Sequence, residues 1–496
     1  MVASQTALAF DLPDEAATLA LAEDVAVILS RGDVVALSGG LGAGKTTFAR
    51  ALLRAFFDDA ALEVPSPTFT LVQTYSGGRL PVAHFDFYRL SSADEVDEIG
   101  FDEAVADGAA LVEWPERAVS RLPAGRLELS FDILGEGRKV VVTGGEAVLA
   151  RFMRSRRIRA FLDSAGWRPA ARRYLQGDAS SRSYERIGAA DRKAVLMDWP
   201  PPASAAPTGD RRVIYRARDV RAVIAVGDGL RDAGLSTPEF FAEDAEAGFL
   251  LMEDFGSEGV VADGAPIAER YLVAVAALAE IHASPRPADL PLADGSLHRL
   301  PAYRAEAFAA ELDLFPQWYV PHATGGPPGA AERAAFEALW APLLGRLDTA
   351  EQSWVLLDVH SPNLLWLPDR QGIRRIGFLD FQDALIGPSA YDVASLAQDA
   401  RISVPPALER AIIGHYVGLR READPDFDGE AFAEAYAILA AQRATKILGV
   451  FARLADHAGK PTYIQHIPRV REYLARSLEH PVLSGLSVWY ERHHLP

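Results

Sequence analysis

Residues 39–46 read Gly39-Gly40-Leu41-Gly42-Ala43-Gly44-Lys45-Thr46 and fill every fixed position of the phosphate-loop pattern G-x-x-x-x-G-K-[ST]. Such a loop works only between a strand and a helix start, where backbone N–H groups and the positive helix end converge on phosphate. The flanks comply. Asp33-Val34-Val35-Ala36-Leu37 is apolar and β-branched enough for a buried strand, and Thr47–Leu53 has helical periodicity. The pattern predicts a nucleoside-triphosphate pocket. Gly39, Gly40, Leu41, Gly42, Ala43, Gly44 and Thr47 would wrap the phosphates, Lys45 would reach the β- and γ-phosphates, and the Thr46 hydroxyl would ligate Mg²⁺. The competing reading is an accidental glycine turn, which the complete motif and its flanks disfavour.

At 496 residues the chain is too long for one ordinary core, so two or three domains are expected. A net charge of −18 argues against a general nucleic-acid binder, which must neutralise phosphates with Lys and Arg. The run Arg151-Phe152-Met153-Arg154-Ser155-Arg156-Arg157-Ile158-Arg159 is a local basic exception. Cysteine is absent, which excludes disulfides and fits a reducing compartment. The N-terminus lacks a basic region followed by an apolar core, and no apolar run reaches about 18 residues. A cytoplasmic protein without membrane association is the expectation.

Two blocks emerge. Residues 1–150 alternate short apolar runs with helical stretches, the rhythm of a parallel α/β sheet. Val82–Asp86, Ala109–Glu113 and Leu127–Phe131 are further strand candidates, and glycines at 135, 137, 144 and 145 punctuate a final hairpin. A phosphate loop needs a carboxylate at a neighbouring strand end to hold Mg²⁺ and a group to orient water. Asp86 and Glu113 stand at such ends; alone, Asp86 reads as a strand-terminal turn residue, but beside the phosphate loop it reads as a metal ligand.

Ser38–Thr47, Val64-Pro65-Ser66-Pro67-Thr68-Phe69-Thr70-Leu71-Val72, His84–Leu90, Glu98–Phe101 and Val112-Glu113-Trp114-Pro115 together resemble the TsaE (YjeE) family, in order and spacing. The resemblance implies a small ATPase needed for N6-threonylcarbamoyladenosine in bacterial tRNA, working with a TsaD–TsaB complex. It also implies that Thr68 lies in a γ-phosphate-sensing switch, Asp86 ligates Mg²⁺ and Glu113 positions water. Trp114 reads evenly as a stacking residue or as core.

Residues 151–496 form the second block, with a small lobe over about 166–256 and a large lobe over about 257–496; the stretch 151–165 reads as linker or first helix. Asp358 precedes Asn363 by five residues, and Asp380 follows on another apolar run. D-x-x-x-x-N followed by Φ-D-Φ supplies a base for a hydroxyl acceptor, Asp358, and two metal ligands, Asn363 and Asp380. A chance Asp/Asn loop is the alternative. This segment resembles the aminoglycoside-phosphotransferase and choline-kinase group. By that resemblance Phe249–Gly256, including Glu253 and Phe255, is the adenine-binding hinge, Asp392 braces the catalytic loop, and His282 ends a helix common in the group. Gly177–Tyr184 (with Ser180 and Arg182), Val195–Asp198 and Gln442–Leu454 are most similar to the AmgK sugar kinases, which implies ATP-dependent phosphorylation of the anomeric hydroxyl of N-acetylmuramate or N-acetylglucosamine.

Two departures stand out. Leu356 and Leu357 occupy positions before the catalytic Asp that often hold His and Arg. The strand-three lysine is also missing. Met197 or a neighbour stands there, and Lys193 is the only lysine from 140 to 445. Lys193, Arg182 or Arg186 would have to neutralise phosphate instead. Arg443, Lys446 and Arg453 share one broad helix face, read as solvated or as sugar-binding. Trp318-Tyr319 and Trp489-Tyr490 read as core before a sugar-stacking face, and His360 as orienting substrate or loop.

The expected architecture is an α/β P-loop NTPase domain followed by an α+β bilobal protein-kinase-like domain, with ATP and Mg²⁺ at both sites. The expected function is a fusion of a TsaE-like ATPase with an amino-sugar kinase. The alternatives are another small hydroxyl acceptor, such as an aminoglycoside or choline, or a non-catalytic nucleotide-binding scaffold.

Overall fold

The apolar runs around the phosphate loop become neighbours in one sheet. A computed structural model describes residues 7–177, 182–201 and 216–492. In chain order the first elements are β1 (Leu8–Leu12), α1 (Glu15–Ala26), β2 (Val34–Gly39), α2 (Lys45–Phe57), β3 (Val72–Tyr75), β4 (Val82–Asp86), α3 (Glu95–Glu98), α4 (Phe101–Asp107), β5 (Ala109–Glu113), β6 (Leu127–Leu134) and β7 (Gly137–Gly144). The sheet order is β1-β7-β6-β2-β5-β4-β3. Its centre, β6-β2-β5-β4, is parallel; β3 on one side and β7 on the other run against it, and β1 pairs antiparallel with β7. Central strands β4 and β5 are buried at every residue because apolar cores cover both faces. One core joins α1 and α2 to the sheet through residues such as Leu21, Phe48 and Leu52; the other gathers Phe85, Phe87, Val96 and Phe101.

Of the two readings of the basic stretch, linker or helix, the structure has the helix. The basic run lies within α5 (Glu146–Ser164), whose Phe152 enters the first core while Ile158 and Leu162 enter a third. That third core underlies a five-stranded sheet of β8 (Ala171–Gly177), β9 (Ser183–Ala189), β10 (Arg192–Asp198), β11 (Phe240–Asp244) and β12 (Phe249–Glu253), ordered β11-β12-β10-β9-β8. The arginines of α5 face acids: Arg151 grips Asp33 at 2.7 and 3.0 Å, Arg154 pairs with Asp198, and Arg159 meets Asp24 at 2.9 Å. Arg172 of β8, wholly buried, donates to Asp24 of α1 at 2.6 Å and to both oxygens of Glu185 at 2.7 Å. An ionic seam therefore ties the phosphate-loop sheet to the smaller one.

Chain contacts divide accordingly. One compact unit comprises residues 1–200 with 241–253, the other 201–240 with 254–496. The second unit is mainly helical, centred on the 28-residue helix Gly429–Asp456. Tyr319, Trp489 and Tyr490 are core there, and Trp318 is half-buried against His457. Among the described residues no helix is long and apolar enough to cross a membrane.

Candidate active sites

The phosphate loop joins β2 to α2 at the carboxyl ends of the parallel strands, where α/β sheets bind ligands. Gly39 has φ +133°, and a Cβ there would lie 2.4 Å from the Phe131 carbonyl oxygen on neighbouring β6, so only glycine fits. Gly42 and Gly44 also take left-handed φ values of +74° and +109°. The turn aims Lys45 back across the loop, where its Nζ donates to the carbonyls of Gly39 (2.6 Å) and Gly40 (3.0 Å). Burial lowers the Lys45 pKa, against the opposing pull of Glu113, Glu116 and Asp86. Trp114, at φ +59°, holds its indole 3.7 Å under the ammonium. A bulky residue in that conformation stores backbone strain, and here it serves to cradle the lysine.

Register brings the acids together. Asp86 of β4 pairs with Glu113 of β5, and Glu113 pairs with Leu37 of β2. The Thr46 hydroxyl donates to Glu113 Oε2 at 2.9 Å, while Glu113 Oε1 lies 3.0 Å from Nε2 of the buried His84. Asp86 Oδ2 accepts from Ser66 (2.8 Å) and Thr68 (2.9 Å), and its Oδ1 accepts from the Tyr88 amide at 2.9 Å. Ser66, Thr68, Asp86, Tyr88, Glu113 and Trp114 line, with the loop from Leu41 to Thr47, a cavity of about 450 Å³. A second cavity of about 260 Å³, bordered by Leu12, Ala43, Gly44, Thr47, Phe131 and Arg138, adjoins the far side of the loop. Arg138 Nε donates to the Ala43 carbonyl at 3.0 Å. The roles of His84, Ser66 and Arg138 escaped the sequence reading. His84 was signalled only by its position two residues before Asp86, on the same strand face.

In the second unit, Asp358 follows the strand Gln352–Val355, and Asn363 leads into the hairpin Leu364–Trp366/Ile376–Phe378, which ends at Asp380. Asp358, Asn363 and Asp380 line one depression with Leu356, Val359 and Phe381. The loop is held by hydrogen bonds from its own backbone to buried acids. Asp392, fully buried, accepts from the amides of Leu356 (2.7 Å) and Leu357 (3.0 Å), and Asp399 accepts from Ser361 N at 2.7 Å. Burial raises the Asp392 pKa to about 7, while the two amides and Arg443 oppose that shift. Asn363 Nδ2 donates to the Asp358 carbonyl at 3.0 Å, and Gln382 Nε2 to Asp380 Oδ1 at 2.9 Å. Leu357 (φ +67°) and Asp380 (φ +56°) adopt left-handed backbone at the two ends of this arrangement. His360 is half-buried, and its amide meets the Asp358 carbonyl at 3.1 Å.

Two cations serve this acidic region. Lys446 Nζ donates to Glu311 at 2.6 Å, and Glu311 Oε2 also accepts from Gln442 at 3.0 Å and Tyr303 at 2.5 Å. Burial alone would lower the Lys446 pKa, but Glu311, Tyr391 and Asp358 raise it. Arg216 donates to Asp383 at 3.1 Å. Arg443 is buried on Ser395 at 2.6 Å rather than solvated, and Arg453 is half-exposed.

Other candidates are scattered. Glu253 ends β12 opposite Ala194 of β10, half-buried, and Arg182 is buried with its guanidinium 5.2 Å from the Trp199 ring. Phe255 packs beneath Gly377, where a Cβ would lie 2.6 Å from its ring. Ser180 falls outside the described residues. Met197 is buried opposite Tyr184, Lys193 is exposed opposite Gly188 at the hairpin end, and Arg186 lies 3.9 Å from Asp58.

Comparison with known proteins finds two families, one in each part of the chain. The family model for threonylcarbamoyl adenosine biosynthesis protein TsaE matches residues 12–140, and that of the phosphotransferase enzyme family matches 172–428. An N-acetylmuramate/N-acetylglucosamine kinase of Caulobacter vibrioides is 35% identical over 350 residues, covering 67% of this chain and 95% of that protein. Its counterpart in Pseudomonas putida is 31% identical, covering 60% and 80%. The tRNA threonylcarbamoyladenosine biosynthesis protein TsaE of Rickettsia felis is 35% identical over 147 residues, covering 29% of this chain and 85% of that protein. The chain thus belongs to the TsaE family through its phosphate-loop domain and to the phosphotransferase enzyme family through the remainder.

Proposed function

We propose that this chain is a bifunctional cytoplasmic enzyme. Its first domain hydrolyses ATP in support of tRNA threonylcarbamoyladenosine formation together with a TsaD–TsaB complex. Its second phosphorylates the anomeric hydroxyl of N-acetylmuramate or N-acetylglucosamine. The supporting observation is that each half gathers hard oxygen donors suited to a nucleotide-bound metal around one depression, with a carboxylate among them to handle water or a hydroxyl: Thr46, Asp86 and Glu113 in one, Asp358, Asn363 and Asp380 in the other. Such donors suit Mg²⁺, which needs only one or two protein ligands beside phosphate and water. When bound, the metal neutralises charge on the transferring phosphoryl group.

In the first domain, the phosphate loop and Lys45 bind the triphosphate, Thr46 and Asp86 hold the metal, and Glu113, oriented by His84, positions water. Thr68 on Asp86 couples the switch segment to the γ-phosphate position. The nucleoside would run past Thr47 into the second cavity. In the second domain, Asp358 takes the proton of the sugar hydroxyl as its oxygen attacks the γ-phosphorus and ADP leaves. Asn363 and Asp380 hold the metal, and Glu253 and Phe255 mark the adenine hinge.

Purified protein with Mg-ATP and a panel of N-acetylmuramate, N-acetylglucosamine, choline and kanamycin, read by product mass, tests the kinase. Phosphorylated amino sugars are expected. The Asp358→Asn variant should lose about 10²–10⁴-fold in rate, while Lys45→Ala should keep the kinase and lose ATP hydrolysis stimulated by TsaD–TsaB. Product from choline or kanamycin alone would defeat the amino-sugar assignment.

A further inference from the structure

The kinase-like half lacks the strand-three lysine that its chemistry calls for, yet it must bring a polyanionic nucleotide to a strongly acidic surface. Asp383, Asp358, Glu311 and Asp380 all stand near enough to one arginine, Arg216, to raise its pKa. A triphosphate approaching them needs more countercharge than one divalent metal brings.

Arg216 is placed for that duty by two contacts. Its Nη1 donates to Asp383 Oδ2 at 3.1 Å, and the next amide, Ala217 N, donates to Asp383 Oδ1 at 2.7 Å. Asp383 is buried and lies three residues beyond Asp380, so the anchor is fixed to the segment carrying the metal-ligand candidate. The side chain itself remains 68% exposed. Most of its five N–H donors are therefore turned to solvent in a planar fork suited to phosphate oxygens. Lys446, another cation of the region, is committed to Glu311 at 2.6 Å.

We infer that Arg216 contacts the β- and γ-phosphates of the nucleotide in the kinase-like domain, in place of the missing lysine, with Asp383 as its positioning residue. This rests on the kinase reading only as far as a nucleotide binding beside Asp380. The full-length chain carrying Lys45→Ala, so that the phosphate-loop site is silent, is titrated with Mg-ADP and Mg-ATP by calorimetry and assayed for the KM of ATP and of the sugar. Adding Arg216→Ala should weaken Mg-ATP binding and raise its KM roughly 10- to 100-fold, as expected for loss of charge-assisted hydrogen bonds, with the sugar KM unchanged. Arg216→Lys should recover part of the loss. Asp383→Asn should give a smaller rise in the same parameter, and a melting curve matching the parent confirms the fold of each variant. Unchanged Mg-ATP affinity and KM in folded Arg216→Ala overturns the inference. If no sugar is phosphorylated even by the parent, the acceptor assignment fails while the calorimetry still decides Arg216.

Discussion

The phosphate-loop site and the catalytic loop solve the same problem by different means. On the function proposed above, both hold carboxylates near a triphosphate. In the first, Asp86, Glu113 and the loop's leading strand are adjacent rungs of one parallel ladder, so backbone register sets their spacing. In the second, Asp358, Asn363 and Asp380 sit on irregular backbone, pinned by buried Asp392 and Asp399 contributed by later parts of the chain. A site built on register should fail through backbone changes. A site built on pinned loops should fail through the loss of distant side chains.

The strongest test of that contrast is Gly39→Ala, which forces a Cβ within 2.4 Å of the Phe131 carbonyl at φ +133°. Mg-ATP affinity at the phosphate loop should fall by more than about 100-fold, with calorimetry showing one nucleotide site lost and sugar phosphorylation retained. Next comes Asp24→Ala, which strips the shared carboxylate from buried Arg172 and Arg159. Breaking such a buried pair costs about 3–5 kcal/mol. Chemical denaturation should show unit 1 destabilised by that order, whereas an unaffected transition would mean the two sheets are held by apolar packing alone.

Asp392→Asn sharpens the other side. An amide can accept through only one oxygen, so one of the two loop amides goes unmet, at about 1–3 kcal/mol. Sugar phosphorylation should drop roughly 10-fold or more while nucleotide binding at the phosphate loop stays intact. The smallest effect expected is a pH dependence confined to the helical unit. Buried His282, 2.8 Å from the Tyr416 hydroxyl, has its pKa pushed down to about 3 by burial, helped by Arg420. The unfolded chain binds that proton near pH 6.5 and the fold refuses it, so stability is full above 6.5 and declines as pH falls toward 3. About 2 kcal/mol should be lost between pH 6.5 and 5, and His282→Asn should flatten that slope in a denaturation series.

The two regions also differed in how far they could be read in advance. The strands at 82–86 and 109–113 stand where apolar patterning places them, because a doubly covered parallel strand must be apolar along its whole length. Asp358, Asn363 and Asp380 could be paired from spacing alone, since a short hairpin separates them. Arg138, Arg216 and Glu311 could not. Each reaches its neighbours from more than a hundred residues away or through a contact that carries no local signature.

The basic run of α5 shows the same boundary from the other direction. Its composition resembles a surface patch, yet Arg151, Arg154, Arg156 and Arg159 end on Asp33, Asp198 and Asp24. Sequence by itself determined the phosphate loop, the strands that flank it and the acid–amide spacing of the catalytic loop, because those features depend on contiguous backbone and short-range periodicity. Only the tertiary structure decided which charges pair, which helix two cores share and that Arg216 meets Asp383 while Lys446 meets Glu311. Electrostatic partners are chosen by proximity in space, and a one-dimensional pattern does not contain it.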